Sequence, residues 1–383
     1  CGECARVCPA HIRLDLLKNI FKGDKVIWII FLCLCLISII EVFSAASTLT
    51  YKSGDHWGPI TQHSIILMVG AVVVVFLHNV PYKWFQVFPV FLYPISLVLL
   101  AFVTLMGIIT GDRVNGAARW MTFMGLQFQP SELAKMAVII AVSFLLSKRQ
   151  DEEGANPKAF KYIMILTGLV LLLIAPENLS TAMLLFGVVF MMMFIGRVAA
   201  KKLLLLAGGL VLIVALGVGT VVAIPAKTLH NTPGLHRLET WQNRIKGFFD
   251  KDEVPAAKFD IDKDAQIAHA RIAIATSHVV GKGPGNSIQR DFLSQAFSDF
   301  IFAIVIEEMG LIGGIFVVFL YLCLLMRAGR IAQKCERTFP AFLVMGIALL
   351  LVSQAILNMM VAVGLFPVTG QPLPLVSKGG TST

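Results

Sequence analysis

Asp299 stands where a long polar stretch runs into an apolar one. Behind it, residues 225–298 carry charges of both signs. Ahead of it, Phe300-Ile301-Phe302-Ala303-Ile304-Val305-Ile306 leads to Glu307-Glu308. If the apolar run is helical, the two glutamates lie roughly 12 Å deeper, at 1.5 Å per residue. A carboxylate at the lip of a bilayer is costly unless it has a partner or a task, and proton transfer is the task a lone aspartate performs best. A second group of residues is cationic. Glu132 and Lys135 follow Gln129-Pro130-Ser131 and share a helical face, being three apart. Lys135 is then either half of a neutralised pair that holds its helix to a neighbour or a cation lining an anion path. Lys282 lies in Gly281-Lys282-Gly283-Pro284-Gly285-Asn286, a turn able to present N–H groups and an ammonium to a phosphate, or simply one that ends a helix. Arg119-Trp120 and Ser377-Lys378 complete the set. One carboxylate among Arg119, Lys135, Lys282 and Lys378 suits an anionic substrate, and phosphate better than a sugar alone.

These groups must be positioned by membrane helices. The 383 residues are 57% hydrophobic and only 14% charged, against about 25% charged in a soluble domain. Nine spans of roughly twenty apolar residues are expected, near 25–46, 63–80, 87–109, 130–147, 160–176, 179–196, 202–224, 299–326 and 339–364. Lys18, Lys22 and Lys25, then Lys83, Lys148 and Arg149, Lys158 and Lys161, Arg197 to Lys202, and Arg327 to Arg337 flank the spans and all fall on one side. That side is cytoplasmic, with the N-terminus, and 225–298 is an outer loop. The net charge of +9 needs no nucleic acid to explain it. An odd span count leaves the tail outside. The chain starts at Cys1 and stops at Gly379-Gly380-Thr381-Ser382-Thr383, so both ends are expected to be cuts and a tenth span to be missing.

Four smaller features remain. Cys1, Cys4 and Cys8-Pro9 match three quarters of an iron–sulfur run; residues 1–13 are expected to be a remnant head, and 14–383 the membrane domain. Arg237 to Phe249 has an apolar stripe of Leu238, Trp241, Ile245 and Phe248, fit either for the membrane interface or for packing on the bundle. Ser180 and Thr181 are expected to cap the helix after Pro176-Glu177-Asn178. The tail from Gly364 to Gly380 is too apolar for a solvated loop and too rich in Pro and Gly for a helix. Such backbone survives at membrane depth only when buried in protein or lining a cavity, so it is expected to be a re-entrant pocket wall.

Taken together, Asn115-Gly116-Ala117-Ala118-Arg119-Trp120, Gln129 to Lys135, Gly281 to Ser287, Ser298-Asp299-Phe300-Ile301-Phe302-Ala303 and Gly364 to Pro374 resemble, in order, the motifs of the SEDS proteins, the group that contains FtsW and RodA. The likeness runs from about Asp24 to the end. It implies an all-α polytopic membrane bundle of ten spans, nine of them present here. It implies a peptidoglycan glycosyltransferase of the cytoplasmic membrane that polymerises lipid II on the outer face with a class B penicillin-binding protein and other division proteins, the loops favouring the division (FtsW) type. Asp299 falls on the family's essential aspartate, implied to be the base that takes a proton from the acceptor sugar hydroxyl. Arg119, Trp120, Glu132, Lys135, Lys282, Ser377 and Lys378 are implied to bind substrate, with cations or a divalent metal, Mg or Mn, offsetting the leaving pyrophosphate. The chain departs from the family where Gln295 and Phe297 replace Glu and His, where Asn178 replaces Asp, and at Lys378. Asp299 must therefore act without a carboxylate partner in its motif. A lipid II flippase and a non-catalytic division scaffold are the competing expectations.

Overall fold

The computed structural model describes residues 23–53, 58–109, 121–123, 126–151, 154–223, 242, 264–293 and 298–377. The cysteine head, Arg119, Trp120, Lys378 and nearly all of the Arg237 to Phe249 stripe lie outside them. The described chain is a helical membrane bundle. In order come α1 (Lys25–Ser53), α2 (Gly58–His78), α3 (Phe88–Ile109), α4 (Pro130–Lys148), α5 (Pro157–Ile174), α6 (Leu179–Ile195), α7 (Ala200–Ala223), α8 (Asp264–Thr276), α9 (Ile301–Lys334) and α10 (Thr338–Ala362). Eight of these are long and apolar enough to cross a membrane, and the 17-residue α6 is a shorter apolar helix. The nine expected spans correspond to these nine elements. Two short hairpins were not anticipated: β1 (Met121–Phe123) with β2 (Leu126–Phe128), just before α4, and β3 (Gln150–Asp151) with β4 (Gly154–Ala155).

Helix ends are set by local chemistry. Pro130 and Pro157 each occupy a first helical turn, where the missing N–H costs nothing. Asn156 caps α5 through the Lys158 amide. At α6 the cap is Asn178, whose Oδ1 accepts the Thr181 N–H at 3.2 Å; this corrects the expectation that Ser180 and Thr181 do the capping. Asn and Asp cap equally well, so Asn178 preserves a cap at the position where the motif usually has Asp. Asp24 caps α1 through the Val26 and Ile27 amides and receives Arg327 Nε at 2.7 Å. Burial acts to raise the Asp24 carboxyl, but the Arg327 hydrogen bond, the two amides and the Arg327 charge outweigh it and hold it below its ordinary value.

α9 and α10 form the most extensive helix pair, with α10 also against α4 and α6, and α1 against α9. One buried cluster joins α1, α8, α9, α10 and the tail residues Leu373 and Val376; another joins α3 to α6 with α10. At Gly310 (φ 73°, ψ −178°) α9 breaks. The carbonyls of Glu307 and Glu308 there accept the Lys282 and Gly283 amides at 3.0 and 2.8 Å. The Leu311 and Ile312 amides donate to the His278 and Val279 carbonyls at 3.2 and 3.3 Å. The turn after α8 is thus stitched into the break, and its N–H groups are engaged by α9 rather than left for a phosphate. A Cβ on Gly310 would lie 2.3 Å from the Val279 carbonyl oxygen, and one on Gly281 2.3 Å from the Gly310 nitrogen. Gly310→Ala combines this clash with a backbone region that costs an L-residue roughly 1–3 kcal/mol. It should lower the melting temperature of the purified protein, whereas Gly329→Ala, with open space around it in the same helix, should not. Equal melting of the two variants would show that the stitch does not hold α9.

Candidate functional site

Asp299 sits in the three-residue turn Ser298 to Phe300 that leads into α9, partly exposed above the wholly buried Phe300. Its backbone is pinned from two directions. Asn358 Nδ2 of α10 donates to the Asp299 carbonyl at 2.9 Å, and Ser377 Oγ donates to the Ser298 carbonyl at 2.7 Å.

The tail from Gly364 to Ser377 is the expected re-entrant segment. It is non-helical, and Leu373, Val376 and Ser377 are fully buried. Its polar backbone is satisfied by side chains from several helices, as a membrane interior requires. Asn358 Nδ2 reaches the Gln371 carbonyl at 2.8 Å and Gln354 Nε2 the Pro372 carbonyl at 3.2 Å. Ser38 Oγ of α1 reaches the Val376 carbonyl at 2.9 Å, and Tyr321 of α9 donates to the Pro374 carbonyl. Gln371 Nε2 in turn donates to Thr181 Oγ1 of α6 at 2.7 Å. Ser377, expected to face substrate, is engaged here on both sides: it also accepts the Leu373 amide at 2.7 Å.

Lys135 is 0% exposed. Its ammonium bridges Glu132 at 2.8 Å and Gln354 Oε1 at 2.9 Å. The geometry is that of the neutralised pair, with Gln354 linking it to the tail. Lys282 is not at this place. It pairs with the buried Glu307 at 2.6 Å and bonds Thr276 at 3.3 Å. Of the five charged groups gathered from the sequence, the described three therefore do not form one cluster of direct contacts. Gln354 and Asn358, one turn apart on α10, connect Lys135 and Asp299 instead. Both amides were missed in the sequence, although polar residues inside an apolar span are functional candidates by default.

A second polar cluster lies around the α9 break. Glu307 accepts Lys282, Ser287 Oγ and the Ile288 and Gln289 amides; Glu308 accepts Ser44 Oγ and the Gly285 amide. Arg290 Nη1 lies 3.7 Å from Glu308 and donates to the Ser44 carbonyl at 2.6 Å. Glu41 of α1 is buried with neither carboxylate oxygen hydrogen-bonded. Among the described residues no three His, Cys, Asp or Glu side chains converge as a metal site.

A shallow open groove runs between α3, α4 and the α5–α6 turn. Val103 and Leu173 give it apolar walls, and Gln129, Ser131, Glu177 and Asn178 a polar end. Asp299 does not line it. The two are joined through α6, which starts at the groove with Asn178 and holds the tail through Thr181.

The FtsW, RodA and SpoVE profile, described as cell cycle protein, matches residues 24–383. The chain is 32% identical over 375 residues to the probable peptidoglycan glycosyltransferase FtsW of Trichlorobacter lovleyi, covering 96% of this chain and 92% of that one. It is 32% identical over 373 residues to the protein of the same name from Geobacter sp. strain M18, covering 96% and 94%. Two solved structures share the fold. One comes from work on the structural coordination of polymerization and crosslinking by a peptidoglycan synthase complex (24% identity, TM-score 0.73, 94% of each chain). The other is the rod shape determining protein RodA of Thermus thermophilus (23% identity, TM-score 0.62, 94% of this chain and 92% of that).

Proposed function

The chain belongs to the FtsW, RodA and SpoVE family of cell cycle proteins, a multi-pass membrane peptidoglycan glycosyltransferase by that kinship, and we propose that it polymerises lipid II with Asp299 as the general base. The observation that carries this reading is the placement of Asp299: a partly exposed carboxylate at a helix entrance, its backbone fixed to a buried re-entrant wall. The acceptor sugar 4-hydroxyl gives its proton to Asp299 as its oxygen bonds to the anomeric carbon of the donor. The bond from that carbon to the pyrophosphate breaks, and undecaprenyl pyrophosphate leaves with the electron pair. Lys135 and Lys282 are already paired with Glu132 and Glu307. The charge of the leaving group is assigned to Arg119 and Lys378, and contact with the substrate to Trp120, as the resemblance implies.

The site faces the outside of the cytoplasmic membrane. The end of α4 and the starts of α5 and α7 meet at the opposite face, where Arg149 lies over Tyr162 and Lys202 over Phe160, and basic residues collect on the cytoplasmic side. A class B penicillin-binding protein is the working partner, and septal glycan the product. The test is a polymerisation assay with purified protein, such a partner and fluorescent lipid II. Glycan strands are expected. Lipid II that crosses the bilayer without polymerising would make the protein a flippase, and neither activity would make it a scaffold.

A further inference from the structure

We propose that Asn358 is a positioning residue for Asp299, a clamp that holds the backbone of the catalytic turn to the re-entrant wall; this rests on the reading of Asp299 as the base. Asn358 is 1% exposed and lies on α10 between Leu357 and Met359. Its Nδ2 donates to two carbonyls, of Asp299 at 2.9 Å and of Gln371 at 2.8 Å. Both N–H bonds are thereby used, and the orientation of the amide is fixed: flipped, its oxygen would face two carbonyl oxygens. Its Oδ1 has no hydrogen-bond partner. An amide that accepts an unpaired oxygen in order to make these two contacts is there for the contacts.

The position it controls is not held by the helix. The first ladder bonds of α9 run to the Phe300 carbonyl, from Ala303 and Ile304, so the Asp299 carbonyl lies ahead of the ladder. Ser377 pins the residue before it through the wall itself. Asn358 therefore ties the turn and the wall to one helix. A primary amide suits this task, because it carries two diverging donors on one nitrogen, whereas a hydroxyl has one and a carboxylate none.

The measurement is steady-state polymerisation of lipid II by the complex with its penicillin-binding protein partner. Displacing a reacting group by about 1 Å costs on the order of 100-fold. Asn358→Ala is expected to lower kcat by about that factor, with KM for lipid II within about twofold. Ser38→Ala is the control. It removes a buried hydrogen bond to the same wall, at Val376, without touching the Asp299 turn, and should keep kcat. If Asn358→Ala does not accumulate, Asn358→Ser, which keeps one donor, carries the comparison. Equal kcat losses for the Asn358 and Ser38 variants, or a loss confined to KM or to melting temperature, would reduce Asn358 to a wall support and overturn the proposal. Full activity of Asp299→Ala would instead remove the reading beneath it.

Discussion

Asp299→Asn should abolish glycan polymerisation, with a loss of at least about 1,000-fold, while the protein folds and binds lipid II normally. General-base catalysis contributes about 10²–10⁴-fold, and this chain has no second carboxylate in the motif to share the work: positions 293–298 read Leu-Ser-Gln-Ala-Phe-Ser. Asn keeps the size of the side chain and the backbone that Asn358 and Ser377 hold, so the contacts that pin the turn survive. The negative charge and the ability to accept a proton are removed. Lipid II binding measured on the same preparation separates the base from a binding role: binding should be retained within a few-fold, and turnover lost. Polymerisation above a tenth of wild type would end the assignment of Asp299 as base. Loss of binding together with turnover would make it a substrate ligand instead.

How much of this was legible in the sequence depends on whether a feature is written locally. Long apolar runs and their basic flanks marked the nine spans, since lipid demands length and composition directly. The three-residue spacing of Glu132 and Lys135 foretold their pairing. Pro and Gly in an apolar tail foretold buried irregular backbone. The break at Gly310 was not legible. A lone Gly in a span is unremarkable until Gly281 is seen packed on it, 29 positions earlier in the chain. For the same reason the Gly-rich turn could be read as a phosphate cradle as well as a helix-ending turn: its composition supplies N–H groups, and only tertiary structure shows that α9 carbonyls accept those of Lys282 and Gly283. Charge counting failed in the same way. Lys282 was counted among the cations of the site and Lys135 was left between a neutralised pair and an anion path, whereas their partners, Glu307 and Glu132, sit 25 and three positions away. Asn358 and Gln354 were legible in principle, as amides one turn apart in an apolar run, but their task was visible only once the tail folded back over α10.

Arg290→Ala should destabilise the protein more than any other single loop substitution. Arg290 is 7% exposed and bonds the Ser44 carbonyl, Ser44 Oγ and the Gly285 carbonyl, with Glu308 at 3.7 Å. It thus joins α1, the turn after α8 and the α9 break in one contact set. Nearby lie two buried carboxylates, Glu308 and Glu41, and Glu41 has no hydrogen bond of its own. Removing one partner of a buried ion pair costs about 3–5 kcal/mol, because the other charge is left uncompensated. The loss should appear as a lower melting temperature and as faster proteolysis within the segment from Ser277 to Leu293, which Arg290 ties down. Charge, rather than lost packing, is the cause, and a double substitution isolates it. Arg290→Met with Glu308→Gln removes both members of the pair at similar volume and should recover most of the stability. Arg290→Met alone should not. If the two melt together, or if Arg290→Ala melts with wild type, the carboxylates at the α9 break are neutralised by something other than Arg290. The turn after α8 would then be held by the Gly281–Gly310 stitch together with the Glu307 and Glu308 hydrogen bonds.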